Sequence, residues 1–170
     1  MSEQKSDAGL SFAELDLAPG VLQAVRDAGY THPTPIQQQA IPLALAGRDL
    51  IGLAQTGTGK TAGFTLPIIH NLISAPITDA EGAPVHRVRV LILTPTRELA
   101  AQVEESFRKY GKYTELRVVP IYGGGCIDPH SRELRQRVEV VVATPGRWLE
   151  PRARHNGSFK VPQGLGRYEA

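Results

Sequence analysis

Ala54-Gln55-Thr56-Gly57-Thr58-Gly59-Lys60-Thr61 follows an apolar run (Leu50, Ile51, Leu53) and opens an amphipathic segment. Glycines at alternate positions, then Lys-Thr where a strand gives way to a helix, make a cradle for phosphate. Gly57 and Gly59 let the backbone take positive φ and turn its N–H groups toward an anion. A helix opening at Lys60 adds free N–H groups and the positive end of its dipole. Lys60 supplies a point charge for the outer phosphates of a nucleotide, and the Thr61 hydroxyl can ligand Mg²⁺. Ala54 stands where the general pattern begins with glycine, and it is small enough to fit. A plain Gly/Thr-rich turn is the alternative, but Gly-Lys-Thr at this junction favours nucleotide binding. The loop alone says NTP and leaves the use of the energy open.

The elements on either side set the fold class. Residues 49–53 read as a buried strand, and residues 60–73 as a helix kinked at Pro67. Residues 74–86, rich in Pro, Ala, Gly and Asp, read as an exposed loop. Residues 88–93 form a second strand. The next helix runs to about residue 109, with Leu99, Val103 and Phe107 on one face. Residues 116–121 are a third strand, followed by Gly123-Gly124-Gly125. Asp128-Pro129 caps a polar helix to about residue 137, and residues 138–143 are a fourth strand leading into Thr144-Pro145-Gly146-Arg147. Alternating strands and helices imply an α/β fold, a parallel sheet with right-handed crossovers. Ligands of such sheets lie outside the carboxyl ends of the strands. Each motif-bearing stretch follows a strand, so these stretches are expected to gather on one rim.

Upstream, residues 1–9 are polar and read as a disordered lead without the apolar core of a signal peptide. Phe12, Leu15 and Leu17 precede a helix over 19–28, opened by Pro19 and stopped by Gly29. In Thr34-Pro35-Ile36-Gln37, Thr34 is a good N-cap, Pro35 a good first residue, and Gln37 sits where a capping box places it. Pro42 is expected to break or kink this helix and Gly47 to end it.

The chain has 170 residues, 41% of them hydrophobic, which fits one globular domain. The net charge of +2 requires any nucleic-acid surface to be local. A single cysteine, Cys126, excludes an internal disulfide framework and suits a reducing cytoplasm. It reads as a small packed residue rather than a reactive thiol. No apolar run is long enough to span a membrane. The histidines at 32, 70, 86, 130 and 155 show no metal-ligand spacing.

Taken in order, these stretches resemble the first part of the first RecA-like domain of bacterial-type DEAD-box RNA helicases. Phe12, Gly29-Tyr30, Pro33 and Pro35-Ile36-Gln37 resemble the Q motif with its upstream aromatic. Residues 54–61 match motif I, Pro95-Thr96-Arg97-Glu98-Leu99 motif Ia, Gly123-Gly124 the GG motif, and Thr144-Pro145-Gly146-Arg147 motif Ib. The resemblance implies a Q-motif region over 10–38 and a partial ATP-binding domain over 39–147. It implies that ATP and Mg²⁺ are held by Phe12, Tyr30, Gln37, Ala54, Gln55, Thr56, Gly57, Thr58, Gly59, Lys60 and Thr61, with Thr61 on the metal. Gln37 would read adenine, because a side-chain amide offers the donor and acceptor that match adenine N6 and N7. Guanine presents two acceptors there, so ATP is expected over GTP. Tyr30 and Phe12 would pack on or near the base; core packing is an even alternative for Phe12. Pro95, Thr96, Arg97, Gly123, Gly124, Thr144, Pro145, Gly146 and Arg147 would line an RNA groove that grips the backbone without reading sequence. Taken singly, Arg97 and Arg147 read as solvated or salt-bridged residues. The run Arg132, Arg135, Arg137 reads as a solvated helix face.

The pattern departs from the family after Arg147. The family continues with an apolar strand ending in Asp-Glu-Ala-Asp, whose carboxylates hold Mg²⁺ and position the attacking water. Residues 148–170 contain no strand-length apolar run and no adjacent acidic pair, and Glu150 and Glu169 are isolated. This tail is expected to be disordered or irregular, and a frameshifted end is one account of it. Without the motif II and Ser-Ala-Thr strands, the strand before the phosphate loop is expected to lack sheet neighbours. The chain is therefore expected to be marginally stable and prone to aggregate, and to hydrolyse no ATP by itself. The alternative to a helicase is a non-catalytic remnant that binds adenine nucleotide or RNA weakly.

Overall fold

The computed structural model describes residues 10–82, 85, 87–121 and 138–146, with the backbone of 166–169. A 3-10 turn, Phe12–Leu15, leads into α1 (Pro19–Asp27) and α2 (Pro35–Leu45). The phosphate-loop segment follows, then α3 (Lys60–Ser74), β1 (Val90–Leu93), α4 (Arg97–Tyr110), β2 (Val118–Ile121), β3 (Val140–Ala143) and β4 (Gly166–Glu169). The strands form one parallel sheet in the order β2-β3-β1-β4. This is a parallel sheet with flanking helices, the α/β class that the alternation of strands and helices implies.

Burial follows position in the sheet. All of β3 (Val140, Val141, Val142, Ala143) is buried, as a central strand covered on both faces requires. β2 lies at the edge, where Pro120 costs no ladder bond. In β1, Val90 and Ile92 join Val140 and Val142 in a core with Phe12, Leu15, Leu17, Val21, Val25, Leu66, Ile69, Val103 and Phe107. This core lies between the sheet and the helices. Leu91 and Leu93 face the other way, against Val119, Ile121, Val141 and Ala143. The Leu99, Val103, Phe107 face of α4 is the one that packs inward.

The structure narrows one expectation and corrects another. α2 runs through Pro42 to Leu45 and closes with the Ala46 N–H donating to the Pro42 carbonyl. Pro42 is exposed, and Gly47, at φ 70°, makes the stop. More consequential, residues 49–53 form no strand. Ile51 is 92% exposed, Leu53 89% and Leu50 42%. A strand exists only through the ladder that satisfies its N–H and C=O groups. Among the described residues no strand pairs with this run. An apolar segment that the pattern marks as buried is therefore bare.

Within the tail, residues 166–169 pair in parallel with β1, Leu93 opposite Glu169. Backbone pairing, with no apolar pattern to announce it, makes this strand. The glycines at 123 and 124, Cys126, the helix expected over 128–137, Arg147 and residues 148–165 lie outside the described residues.

Candidate functional site

The phosphate loop has the backbone its glycines imply. Gly57 sits at φ 83° and Gly59 at φ 88°, both in the left-handed region. Gly59 is the N-cap of α3, which begins at Lys60. Thr58 tightens the turn, its hydroxyl donating to the Gln55 carbonyl at 2.8 Å. Lys60 folds back and donates to the Ala54 carbonyl at 2.5 Å, so its ammonium lies over the loop that it closes. Gln55, Thr56, Gly57 and Lys60 are exposed; Ala54, Thr58, Gly59 and Thr61 are half-buried. An open loop of this shape, with a helix N-terminus beneath it and a lysine across it, fits a chain of phosphates. Thr61 lies in the first turn of α3, directly after Lys60.

Gln37 is wired into this loop. It is only 6% exposed, at the third position of α2. Its Oε1 accepts from the Thr34 N–H at 3.0 Å, closing the capping box, and its Nε2 donates to the Gly59 carbonyl at 3.0 Å. Thr34 adds a second link, its hydroxyl donating to the Thr58 carbonyl at 2.8 Å. The start of α2 and the start of α3 are thus one hydrogen-bonded unit. The two bonds also fix which way the amide faces. Each uses half of its capacity, leaving one N–H and one lone pair. Sequence reading marks Gln37 and Thr34 as caps but misses their bonds to Thr58 and Gly59, because nothing in local spacing ties two helix starts together.

The two aromatics part company. Phe12 is 5% exposed and packed in the core, with its N–H donating to the Thr31 carbonyl at 3.3 Å. Packing is its visible role, and through Thr31 it steadies the approach to Thr34. Tyr30 is 48% exposed. Its N–H caps α1 by donating to the Val25 carbonyl at 3.2 Å, after Gly29 turns the chain at φ 81°. Its ring meets the last turn of α4, where the Lys109 ammonium lies 5.0 Å from the ring centroid.

The rim after β1 and β3 comes together as expected. The Thr94 N–H donates to the Ala143 carbonyl at 3.0 Å, and the Thr144 N–H to the Ile121 carbonyl at 3.4 Å. Thr94 is buried, and its hydroxyl donates to the Thr96 carbonyl at 3.0 Å. Thr96 caps α4, accepting from the Leu99 N–H at 3.2 Å. Pro95, Thr96, Arg97, Pro145 and Gly146 are exposed, and Thr144 is half-buried. Helix N-terminus, arginine and an exposed glycine share one edge, a surface suited to phosphate oxygens. Among the described residues no group of His, Cys, Asp and Glu could hold a metal, and no helix is long and apolar enough to cross a membrane.

Comparison with known proteins bears on the family and the fold. The DEAD/DEAH box helicase family matches residues 34–162, running on past Arg147. The "DEAD-box ATP-dependent RNA helicase RhpA" of Helicobacter pylori is 45% identical over 140 residues, covering 82% of this chain and 26% of that protein. The "ATP-dependent RNA helicase DeaD" of Mycobacterium tuberculosis is 46% identical over 142 residues, covering 82% and 23%. The chain thus spans about a quarter of the length of these relatives. Among solved structures, a DEAD box protein from Methanococcus jannaschii matches with a TM-score of 0.73 and 37% identity, over 86% of this chain and 38% of that one. The RNA-helicase Prp28 from Chaetomium thermophilum, bound to ADP, matches with a TM-score of 0.75 and 39% identity, over 88% and 36%. The family match covers most of the chain, and on that match this chain belongs to the DEAD/DEAH box helicase family.

Proposed function

We propose that this chain is the ATP-reading and RNA-gripping start of an ATP-dependent RNA helicase. The observation that carries the reading is the double link from Thr34 and Gln37 to the carbonyls of Thr58 and Gly59. A residue able to read a base is hydrogen-bonded to the loop able to hold phosphates. The unused N–H and lone pair of Gln37 match adenine N7 and N6, and Tyr30 offers a ring face to the same base. Ala54, Gln55, Thr56, Gly57, Thr58, Gly59 and Lys60 would hold the phosphates through backbone N–H groups and the Lys60 ammonium. Thr61 would share Mg²⁺ with the phosphates.

The Lys60 ammonium has three N–H donors and gives one to the Ala54 carbonyl, so the other two would be available to phosphate oxygens. Pro95, Thr96, Arg97, Thr144, Pro145 and Gly146 would take the backbone of one RNA strand, with Gly123, Gly124 and Arg147 completing the groove. Such contacts position without reading sequence and weaken as salt rises. The chain carries no Asp-Glu-Ala-Asp sequence, so by itself it binds ATP without turning it over. The cytoplasm is the proposed compartment.

Titration with a fluorescent ATP analogue tests the reading. Saturable binding that Lys60→Ala abolishes is the expected result. Binding untouched by Lys60→Ala would place the nucleotide elsewhere. No RNA-stimulated phosphate release is expected from this chain; release would show that other residues supply the metal-holding carboxylates.

A further inference from the structure

Two tyrosines and a lysine meet where α1 ends and α4 ends. The Lys109 ammonium lies 5.0 Å from the centroid of Tyr30 and 5.5 Å from that of Tyr110. Both distances are within cation–π range. Lys109 belongs to the last turn of α4, where the helix dipole favours a cation. The two rings differ sharply. Tyr110 is 7% exposed and part of the core, whereas Tyr30 is 48% exposed. Burial first, then the Tyr30 hydroxyl beside it, push the Tyr110 hydroxyl up to about 12, so it stays a neutral phenol. Tyr110 is the fixed wall, Lys109 the clamp, and Tyr30 the ring that is clamped. The backbone of Tyr30 is set separately, by its cap bond to Val25.

We infer that Lys109 is a positioning residue for the nucleotide base, holding the Tyr30 ring ready to stack while touching no phosphate. The inference rests on the reading of Tyr30 as a base-stacking residue. An exposed tyrosine must lose rotamer freedom to stack, and a ring ordered in advance removes that cost from binding. Lys109 acts through the ring, so its effect belongs to the base alone. Arginine can replace it, since a guanidinium makes the same contact with an aromatic face.

The test compares ATP with inorganic tripolyphosphate, which fills the phosphate loop and has no base, on the full chain. Binding is measured for wild type, Lys109→Ala, Lys109→Arg, Tyr30→Ala and the double alanine variant. Lys109→Ala should weaken ATP about threefold, the size of one exposed cation–π contact. It should leave tripolyphosphate unchanged, Lys109→Arg should restore ATP, and Lys109→Ala should add nothing in the Tyr30→Ala background. Unchanged ATP affinity in Lys109→Ala, with Tyr30→Ala weakened, overturns the clamp and spares the stacking. Equal losses for ATP and tripolyphosphate overturn it in favour of a general charge effect. Unchanged ATP affinity in Tyr30→Ala overturns the stacking reading, and the clamp with it.

Discussion

Gly59 is where three requirements meet at one residue. It sits at φ 88°, it caps α3, and a Cβ placed there would lie 2.3 Å from Gln37 Nε2. Gly57 has a similar φ of 83° but open space around it. The pair separates backbone strain from the link to Gln37. Each alanine variant incurs the left-handed cost of about 1–2 kcal/mol. Only Gly59→Ala must also expel the Gln37 amide from its bond. Gly59→Ala is therefore expected to lower ATP affinity at least several-fold more than Gly57→Ala, in parallel nucleotide titrations. Equal losses would mean that Gln37 does not depend on this contact. The sequence showed that glycine belongs at 57 and 59, since the letters state the φ requirement. It did not show the packing of Gly59 against Gln37, because contact across 22 positions leaves no local trace.

At the scale of elements, α4 ties the helical layer to the sheet. Phe107 is 2% exposed in the core, and Phe107→Ala should cost about 3–5 kcal/mol, enough to abolish a cooperative thermal transition in a chain of this size. The end of α4 also holds the end of α1, through Asp27. Lys112 lies on this carboxylate, the Tyr113 hydroxyl donates to it, and Gln23 donates at 2.8 Å. Lys112 first, then Tyr113 and Gln23, hold its carboxyl at about 2, below the usual 3.8. A depressed folded value stabilises the fold above the unfolded value and loses that effect as pH falls. The contribution is whole above about pH 4 and gone near pH 2. Asp27→Asn should thus lower the thermal midpoint slightly at pH 7, and the gap from wild type should close as pH drops through this window. A gap that widens toward acid would contradict the sign. Most elements were legible from period and caps. The helix faces, Thr34, Thr96 and the stop glycines carry their own chemistry. Residues 49–53 were legible in part: the missing sheet neighbours were expected, but the apolar run still read as a buried strand, because it records what a segment needs. β4 was not legible for the converse reason, since it has pairing without pattern.

For the whole molecule, the bare run of Leu50, Ile51 and Leu53 governs behaviour in solution. Large exposed apolar side chains, on a segment that pairs with no strand among the described residues, invite association. The double variant Ile51→Lys, Leu53→Lys should reduce self-association in light scattering as concentration rises, with little change in thermal midpoint, because neither side chain is buried here. A large loss of stability would show that these residues are packed in solution. The central claim is that α2 and the phosphate loop act as one adenine-nucleotide site. Competition of a bound fluorescent ATP analogue by unlabelled ATP and GTP tests it most directly, in wild type and in Gln37→Glu. Glutamate can keep the capping bond but has no N–H to give. Wild type should favour ATP over GTP by about tenfold, the size of one bidentate base contact, and Gln37→Glu should erase the preference. Equal competition by the two nucleotides in wild type, or an undiminished preference in Gln37→Glu, would contradict it.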